Sequence, residues 1–219
     1  MTNYAELTKS FRDEITRAVT TPDPDLTDEA NATRQRRTIA QARERLLAAR
    51  PQLPQPGQSR DAVLAALLPR TADEIAVAQH EQTKVRALLD AGQSLTRIIA
   101  DATPERALAI ADLVETLPDV LVSESRAEII AETHAAVFDR LADLGVGSAA
   151  RARTVEQENA PALAWRRAMT EVAESFDASI GTWQDVYRVD REGYELARSG
   201  GDDSTAHQLR RVDGTPVTA

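Results

Sequence analysis

Apolar residues recur every three or four positions along most of the chain, which is the spacing that lines one side of an α-helix. Leu7, Phe11 and Ile15 show this pattern, and the stretch from Ile130 to Leu144 repeats it. The short apolar run at 120–122 could form a strand, but nothing obvious pairs with it, so we interpret it as a connector. The pattern predicts an all-α protein: a multi-helix bundle with a protruding N-terminal helical arm and a disordered C-terminal tail.

Prolines and the loss of periodicity divide the chain into segments. Prolines at positions 51, 54 and 56 favour an extended linker, because proline lacks an amide donor and restricts the residue before it. Beyond residue 198 the apolar periodicity stops. The sequence therefore predicts an N-terminal helical arm at 1–50, a Pro-rich linker at 51–58, a helical core at 59–145, an aromatic-centred helical subdomain at 154–198 and a flexible tail at 199–219.

Side chains that can accept hydrogen bonds mark the expected helix starts. These starts are Thr71 with Glu74, Ser125 with Glu128, Thr154 with Gln157, and Thr182. Gly92, Gly145 and Gly181 are the expected stops, because glycine accepts the left-handed conformation in which many helices end. We expect one unbroken helix at 182–198.

Composition agrees with helices and removes several kinds of site. Alanine occurs 38 times and glycine 9 times, which favours helices with small side chains. The absence of cysteine excludes disulfides, thiolate metal sites and cysteine nucleophiles. Five of the eight aromatic residues lie between positions 165 and 194, which predicts an aromatic core there.

Charge argues against several classes of partner. The formal net charge of −9 repels a polyanion, so general coating of nucleic acid is not expected. The first residues lack a basic lead followed by an apolar stretch, and no run approaches the ~18 apolar residues of a membrane span. We expect a cytoplasmic protein without a membrane partner, or a virion protein if a phage encodes it.

Arginines cluster on the second predicted helix. Residues 31–60 contain seven arginines and one acid, Glu44, a local charge of +6. At about 100° per residue, several of these arginines flank the apolar seam that contains Ile39 and Leu46. The candidate partner-binding arginines are Arg34, Arg36, Arg37, Arg43, Arg45 and Arg50. Their stems could cover the edges of a surface helix, or their guanidinium groups could bind an acidic protein partner.

An acidic face is predicted on the helix at 125–144. Residues 101–145 carry ten acids and three arginines, a local charge of −7. Glu128, Glu132, Asp139 and Asp143 fall on the side opposite the apolar seam and are the candidate acidic partner-binding residues. Three interpretations remain open: a solvated face, closure onto the arginine helix of the same chain, or contact with that helix in another copy.

Motifs for phosphate binding or nucleophilic catalysis are missing. The sequence contains no GxxxxGK[ST], GxGxxG or GxSxG element, and no His80, His134 or His207 neighbourhood has the spacing of a metal site. The stretch from Leu88 to Leu95 resembles a helix-turn-helix, but acidic segments follow it. A DNA-binding protein would therefore have to use the arginine helix.

One carboxylate pattern has a counterpart in a known family. Glu171-x-x-Glu174 followed by Glu192-x-x-Glu195 is similar to the ExxE…ExxD signature of all-helical MazG-like nucleotide pyrophosphohydrolases. The resemblance covers residues 171–195 and departs at Glu195, where the family has Asp. It implies that the paired acids hold magnesium around a nucleoside triphosphate.

The residues together predict a non-enzymatic assembly or interaction protein that acts through helix faces in a larger complex, for example as a phage structural or assembly component. Its partners would be proteins, in a homo- or hetero-oligomer, with no cofactor, metal or small-molecule substrate. The alternatives are a DNA-binding regulator that uses the arginine helix and a magnesium-dependent MazG-like pyrophosphohydrolase.

Overall fold

The computed structural model describes residues 3–52 and 57–199, and this part of the chain consists of helices and turns without a β-strand. The predicted all-α class is confirmed. The α-helices of the described part are α1 (Tyr4–Thr20), α2 (Asp28–Ala48), α3 (Arg60–Leu67), α4 (Ala72–Asp90), α5 (Leu95–Ala100), α6 (Pro104–Leu113), α7 (Pro118–Leu121), α8 (Arg126–Asp143), α9 (Gly147–Ser175), α10 (Ile180–Val189) and α11 (Arg191–Arg198). None of them is long and apolar enough to cross a bilayer.

Two compact units divide the chain differently from the domains predicted above. The terminal unit comprises Met1–Pro54 and Asn159–Ala219, and the middle unit comprises Gln55–Glu158. Helix α9 contributes to both, because the division falls inside it. The expected arm and the expected aromatic subdomain thus belong to one unit. The expected tail, apart from Ser199, and part of the expected linker lie outside the described residues.

The N-terminal helices pack within the terminal unit, which corrects the expectation of a protruding arm. Phe11 of α1 stacks on Phe176 with ring centroids 6.3 Å apart. Arg12, which is buried, donates a hydrogen bond from Nη1 to the Ala197 carbonyl of α11 at 3.2 Å. An amphipathic helix gains most of its stability from covering its apolar face. Here the helices of the expected aromatic subdomain at 154–198 cover the apolar face of α1.

The middle unit has a mainly aliphatic core, built for the most part by α4, α6 and α8. Val85, Ile110, Val137, Phe138 and Leu141 are almost completely inaccessible to solvent there. On α8, the spacing of Val137, Phe138 and Leu141 places these three side chains on one face, as the apolar periodicity predicts.

One buried carboxylate in the middle unit is neutralised by two bases. Glu81, 8% exposed, accepts hydrogen bonds from Lys84 Nζ at 2.6 Å and from Arg106 Nε at 2.8 Å. These hydrogen bonds, that of Lys84 first, hold the pKa of Glu81 below its usual value although burial opposes the shift. The ion pair between Glu81 and Arg106 therefore joins α4 to α6 at the edge of the core.

Several predicted helix ends are confirmed. The Glu74 amide donates to Thr71 Oγ1 at 3.3 Å, and the Thr71 amide donates to Glu74 Oε2 at 3.0 Å, which completes a capping box. Gly92 and Gly145 end α4 and α8 with φ of +84° and +75°, the left-handed conformation that glycine adopts at little cost.

The start of α8 lies where Ser125 predicted it, but without the predicted cap, and the helix start predicted at Thr154 is wrong. The Ser125 side chain makes no capping hydrogen bond to α8. Thr154 lies inside α9, which begins at Gly147, and its hydroxyl donates to the carbonyl four residues earlier at 3.0 Å. Ala149 and Ala152 are buried in the middle unit, and this packing extends the helix upstream of the predicted cap.

The junction between α9 and α10 also differs from the prediction. Phe176 follows the end of α9 with φ of +66°, a conformation rare for a bulky residue. Gly181, the expected stop, lies within α10, and Ser179 caps that helix by accepting from the Thr182 amide at 3.3 Å. Burial of the Phe176 ring, 7% exposed, offsets the cost of its backbone conformation.

The expected helix at 182–198 is broken at Asp190, whose φ of −152° and ψ of 79° are not helical. Asp190 Oδ1 accepts from the Gly193 amide at 2.9 Å and caps α11, while Oδ2 accepts from Trp165 Nε1 at 2.9 Å. Aspartate is a favoured N-cap, and this local signal was available in the sequence. The tertiary bond to Trp165 was not.

Candidate interaction surfaces

Four of the six predicted partner-binding arginines contact groups of their own unit. Arg34 Nη1 lies 3.0 Å from Asp23 Oδ2. Arg45 Nη2 lies 2.7 Å from both carboxylate oxygens of Glu14 on α1. These exposed ion pairs use side chains that the sequence interpretation left for a partner.

Arg43 is engaged by packing on an aromatic ring, and Arg50 by hydrogen bonds. The Arg43 guanidinium carbon lies 4.8 Å from the centroid of the Phe176 ring, within the range of a cation–π contact. Arg50, half-buried just after α2, donates to the Leu47 carbonyl and to Thr170 Oγ1, both at 3.0 Å. Most of the arginine helix therefore stabilises the terminal unit itself.

Arg36 and Arg37 differ from these four. Both are exposed, and neither forms an ion pair with a residue in the described part of the chain. Arg36 Nε donates to the Ala32 carbonyl of its own helix at 3.3 Å. We call Arg36 and Arg37 the basic edge.

The acidic candidates on α8 divide in the same way. Asp139 Oδ1 lies 3.2 Å from Arg60 Nη1, and Asp143 Oδ1 lies 2.5 Å from Arg153 Nη1. Glu128 and Glu132 are exposed and have no ion pair among residues 3–52 and 57–199. We call Glu128 and Glu132 the acidic edge. It belongs to the middle unit, and the basic edge belongs to the terminal unit.

The carboxylates that resemble the MazG signature have other contacts. Glu171 accepts from Thr182 Oγ1 at 2.7 Å, from the Ser179 amide at 2.8 Å and from Arg167 Nε at 3.0 Å. Burial alone would raise the pKa of Glu171, but these hydrogen bonds outweigh it and lower the pKa to about 2. Glu171 thus holds the start of α10 against α9.

The other three carboxylates do not join Glu171 in a metal site. Glu174 and Glu192 are exposed, and Glu195 pairs with Arg191 at 3.0 Å. Among the described residues, no three histidine or acidic side chains are grouped so that they could hold a metal ion. His134 Nε2 lies 3.1 Å from the Ala111 carbonyl, and His207 lies outside the described residues.

The stretch around Gly92 does form a helix, a turn and a second helix. Helix α5 is short, and Arg97 is the basic residue that it exposes. Arg97 Nε lies 4.0 Å from Asp101 Oδ2, so an acid accompanies the exposed base of α5.

Two surface depressions have no counterpart in the sequence interpretation. In the terminal unit, a cleft of about 530 Å³ is lined by Trp183, Tyr187, Tyr194 and the highly exposed Ile180. In the middle unit, a groove of about 350 Å³ lies between α3, α4 and α6. Val77 of α4, which lines this groove, is 49% exposed.

Comparison with protein-family models, curated proteins and solved structures gives no match to this chain.

Proposed function

We propose that this chain is a non-enzymatic assembly protein and that the basic edge of one copy contacts the acidic edge of another. This proposal is supported by the charged residues that have no ion pair within the described part of the chain. Six of the ten predicted partner-binding residues are engaged inside their own unit, and the other four form one basic pair and one acidic pair. The setting that we propose is a multi-subunit complex, for example a phage particle.

Charge would orient this contact more than it would stabilise it. An exposed ion pair contributes about 0–1 kcal/mol and is weakened by salt. Electrostatic complementarity mainly raises the rate of encounter and excludes wrong orientations. Apolar surface must therefore supply most of the affinity, and exposed residues such as Ile180 and Val122, 79% and 84% exposed, provide it.

Charge reversal tests the proposed contact. Light scattering and sedimentation of the full chain at low salt should show association that Arg36→Glu with Arg37→Glu abolishes. Glu128→Arg with Glu132→Arg should abolish it too. Combining the four changes should restore association, because the two edges again carry opposite charges.

The control reverses the charge of two arginines outside the basic edge. Arg17 and Arg151 are exposed and have no ion pair within the described ranges, so Arg17→Glu with Arg151→Glu should leave association intact. A chain that stays monomeric at every concentration would contradict the proposal. Salt-sensitive binding of duplex DNA that is lost in Arg36→Glu with Arg37→Glu would favour a DNA-binding regulator instead.

A further inference from the structure

The groove of the middle unit combines an apolar floor with an acidic rim. Leu67, Pro69, Val77 and Leu108 contribute the floor. Its volume of about 350 Å³ lies in the range of sites that take small apolar groups. No side chain of the described residues fills it, and Val77 on its floor is 49% exposed.

The rim carries negative charge that the described residues do not neutralise. Asp73 and Glu105 line the groove from α4 and α6, are exposed, and form no ion pair with a described residue. Glu74 also lines it but is held by the amides of Arg70 and Thr71. The groove therefore fits a segment in which apolar side chains stand beside cationic ones.

Residues 200–219, which lie outside the described part, contain such a segment. Leu209 and Val212 flank Arg210 and Arg211, the two arginines of this stretch. The ten residue steps from Ser199 to Leu209 can span at most about 35 Å, which is long enough to reach a neighbouring molecule. Apolar residues would enter the groove, and the arginines would meet the carboxylates of the rim.

We infer that the groove of one copy binds the segment at 209–212 of a second copy. This inference rests on the proposed function, because it requires two copies in contact. It adds an apolar attachment to the charged contact between the basic and acidic edges. It assigns the groove a peptide ligand from the protein's own sequence.

Trypsin provides a direct test, because it cleaves after Arg210 and Arg211. In the full chain at high concentration, mass spectrometry should show these cuts at least tenfold slower than in a synthetic peptide of residues 200–219. Protection should decrease on dilution, since a second copy supplies the groove. Val77→Glu, which puts a charge on the floor, should raise the cutting rate to that of the peptide.

Ile75→Glu is the matched control. Ile75 lies on the same helix and is 43% exposed, but it does not line the groove, so this variant should keep the protection. Cutting as fast as in the peptide, equal protection in Val77→Glu, or protection that does not change on dilution would each overturn the inference. If light scattering still shows association while the segment is cut freely, the inference about the groove fails alone. If no association occurs, the proposed function fails with it.

Discussion

The terminal unit holds seven of the eight aromatic residues, whereas the middle unit holds Phe138 and otherwise fills its core with aliphatic side chains. The two units also differ in charge. The terminal unit has 18 acidic and 16 basic residues, a net charge of −2, and the middle unit has 17 and 10, a net charge of −7. Most of the negative charge of the chain therefore belongs to the middle unit.

This difference shows why charge along the sequence is a poor guide to charge on the surface. The arginine-rich stretch suggested a basic docking helix, yet Arg34 and Arg45 pair with acids of the terminal unit and Arg43 covers an aromatic ring. Acids such as Glu128 and Glu132, which form no ion pair with a described residue, remain on the middle unit. A partner approaching the protein would encounter the middle unit as the more acidic region.

Each unit contains a buried phenylalanine under an arginine, and the two allow a matched test of their packing. The Arg43 guanidinium lies 4.8 Å from the Phe176 ring, and that of Arg60 lies 4.7 Å from the Phe138 ring. Phe138→Ala should lower the free energy of unfolding by about 3–5 kcal/mol. Phe176→Ala should cost less, because Phe176 is slightly less buried than Phe138, 7% against 0% exposed, and alanine is strained less than phenylalanine at a φ of +66°.

A further change to glycine should have opposite effects at the two positions. Phe138→Gly should be about 1 kcal/mol less stable than Phe138→Ala, because glycine destabilises a helix interior. Phe176→Gly should be about 0.5–1 kcal/mol more stable than Phe176→Ala, because glycine accepts positive φ. Urea unfolding followed by circular dichroism measures both differences. If the alanine variant were the more stable one at both positions, the backbone after α9 would not be strained at Phe176.

Acid should destabilise the terminal unit through Glu171. Its folded pKa of about 2 lies below the unfolded value of 4.5, so its contribution is fully present above pH 4.5 and is lost as the pH falls towards 2. The wild type should lose about 1–2 kcal/mol more stability over this range than Glu171→Gln. Urea unfolding monitored by tryptophan fluorescence reports on this unit, because Trp165 and Trp183 both belong to it.

Glu174→Gln is the control for this measurement. Glu174 is exposed on the same helix, so its variant should follow the pH dependence of the wild type. If Glu171→Gln also retains that dependence, the hydrogen bonds from Ser179 and Thr182 do not stabilise the charged carboxylate.

Local rules predicted most of the helices, because their apolar spacing and their caps are contained within a few residues. They failed where a distant contact decides the local structure. Phe176 ends α9 because its ring packs on Phe11, and α9 begins early because Ala149 and Ala152 are buried. A single sequence does not show which distant residues meet.

In the candidate surfaces too, local sequence predicted some features and distant contacts decided the others. Helix periodicity correctly placed Glu128 and Glu132 on an exposed face of α8. It could not separate Arg36 and Arg37 from Arg34 and Arg45, because the acids that pair with the latter two, Asp23 and Glu14, lie outside α2. The groove was also hidden, since three separate helices build it.

The smallest effects should come from the ion pairs. One pair from each unit can be compared by the same measurement. Double-mutant cycles to alanine should give a coupling energy of about 0.2–0.5 kcal/mol for Arg45 with Glu14. Arg60 with Glu156 should give about 0.5–1 kcal/mol, because Arg60 is less exposed, 36% against 60%, and also contacts Asp139. Urea unfolding of the four variants in each cycle supplies these values.

Salt separates the two pairs further. Raising the ionic strength to about 1 M shortens the screening length to about 3 Å, so the coupling of the exposed Arg45 pair should disappear. The Arg60 pair should keep part of its coupling, since its guanidinium also packs on the Phe138 ring. If the two pairs gave equal coupling energies at low and at high salt, ion pairing would not distinguish the two units. The units would then differ only in their numbers of acidic and basic residues.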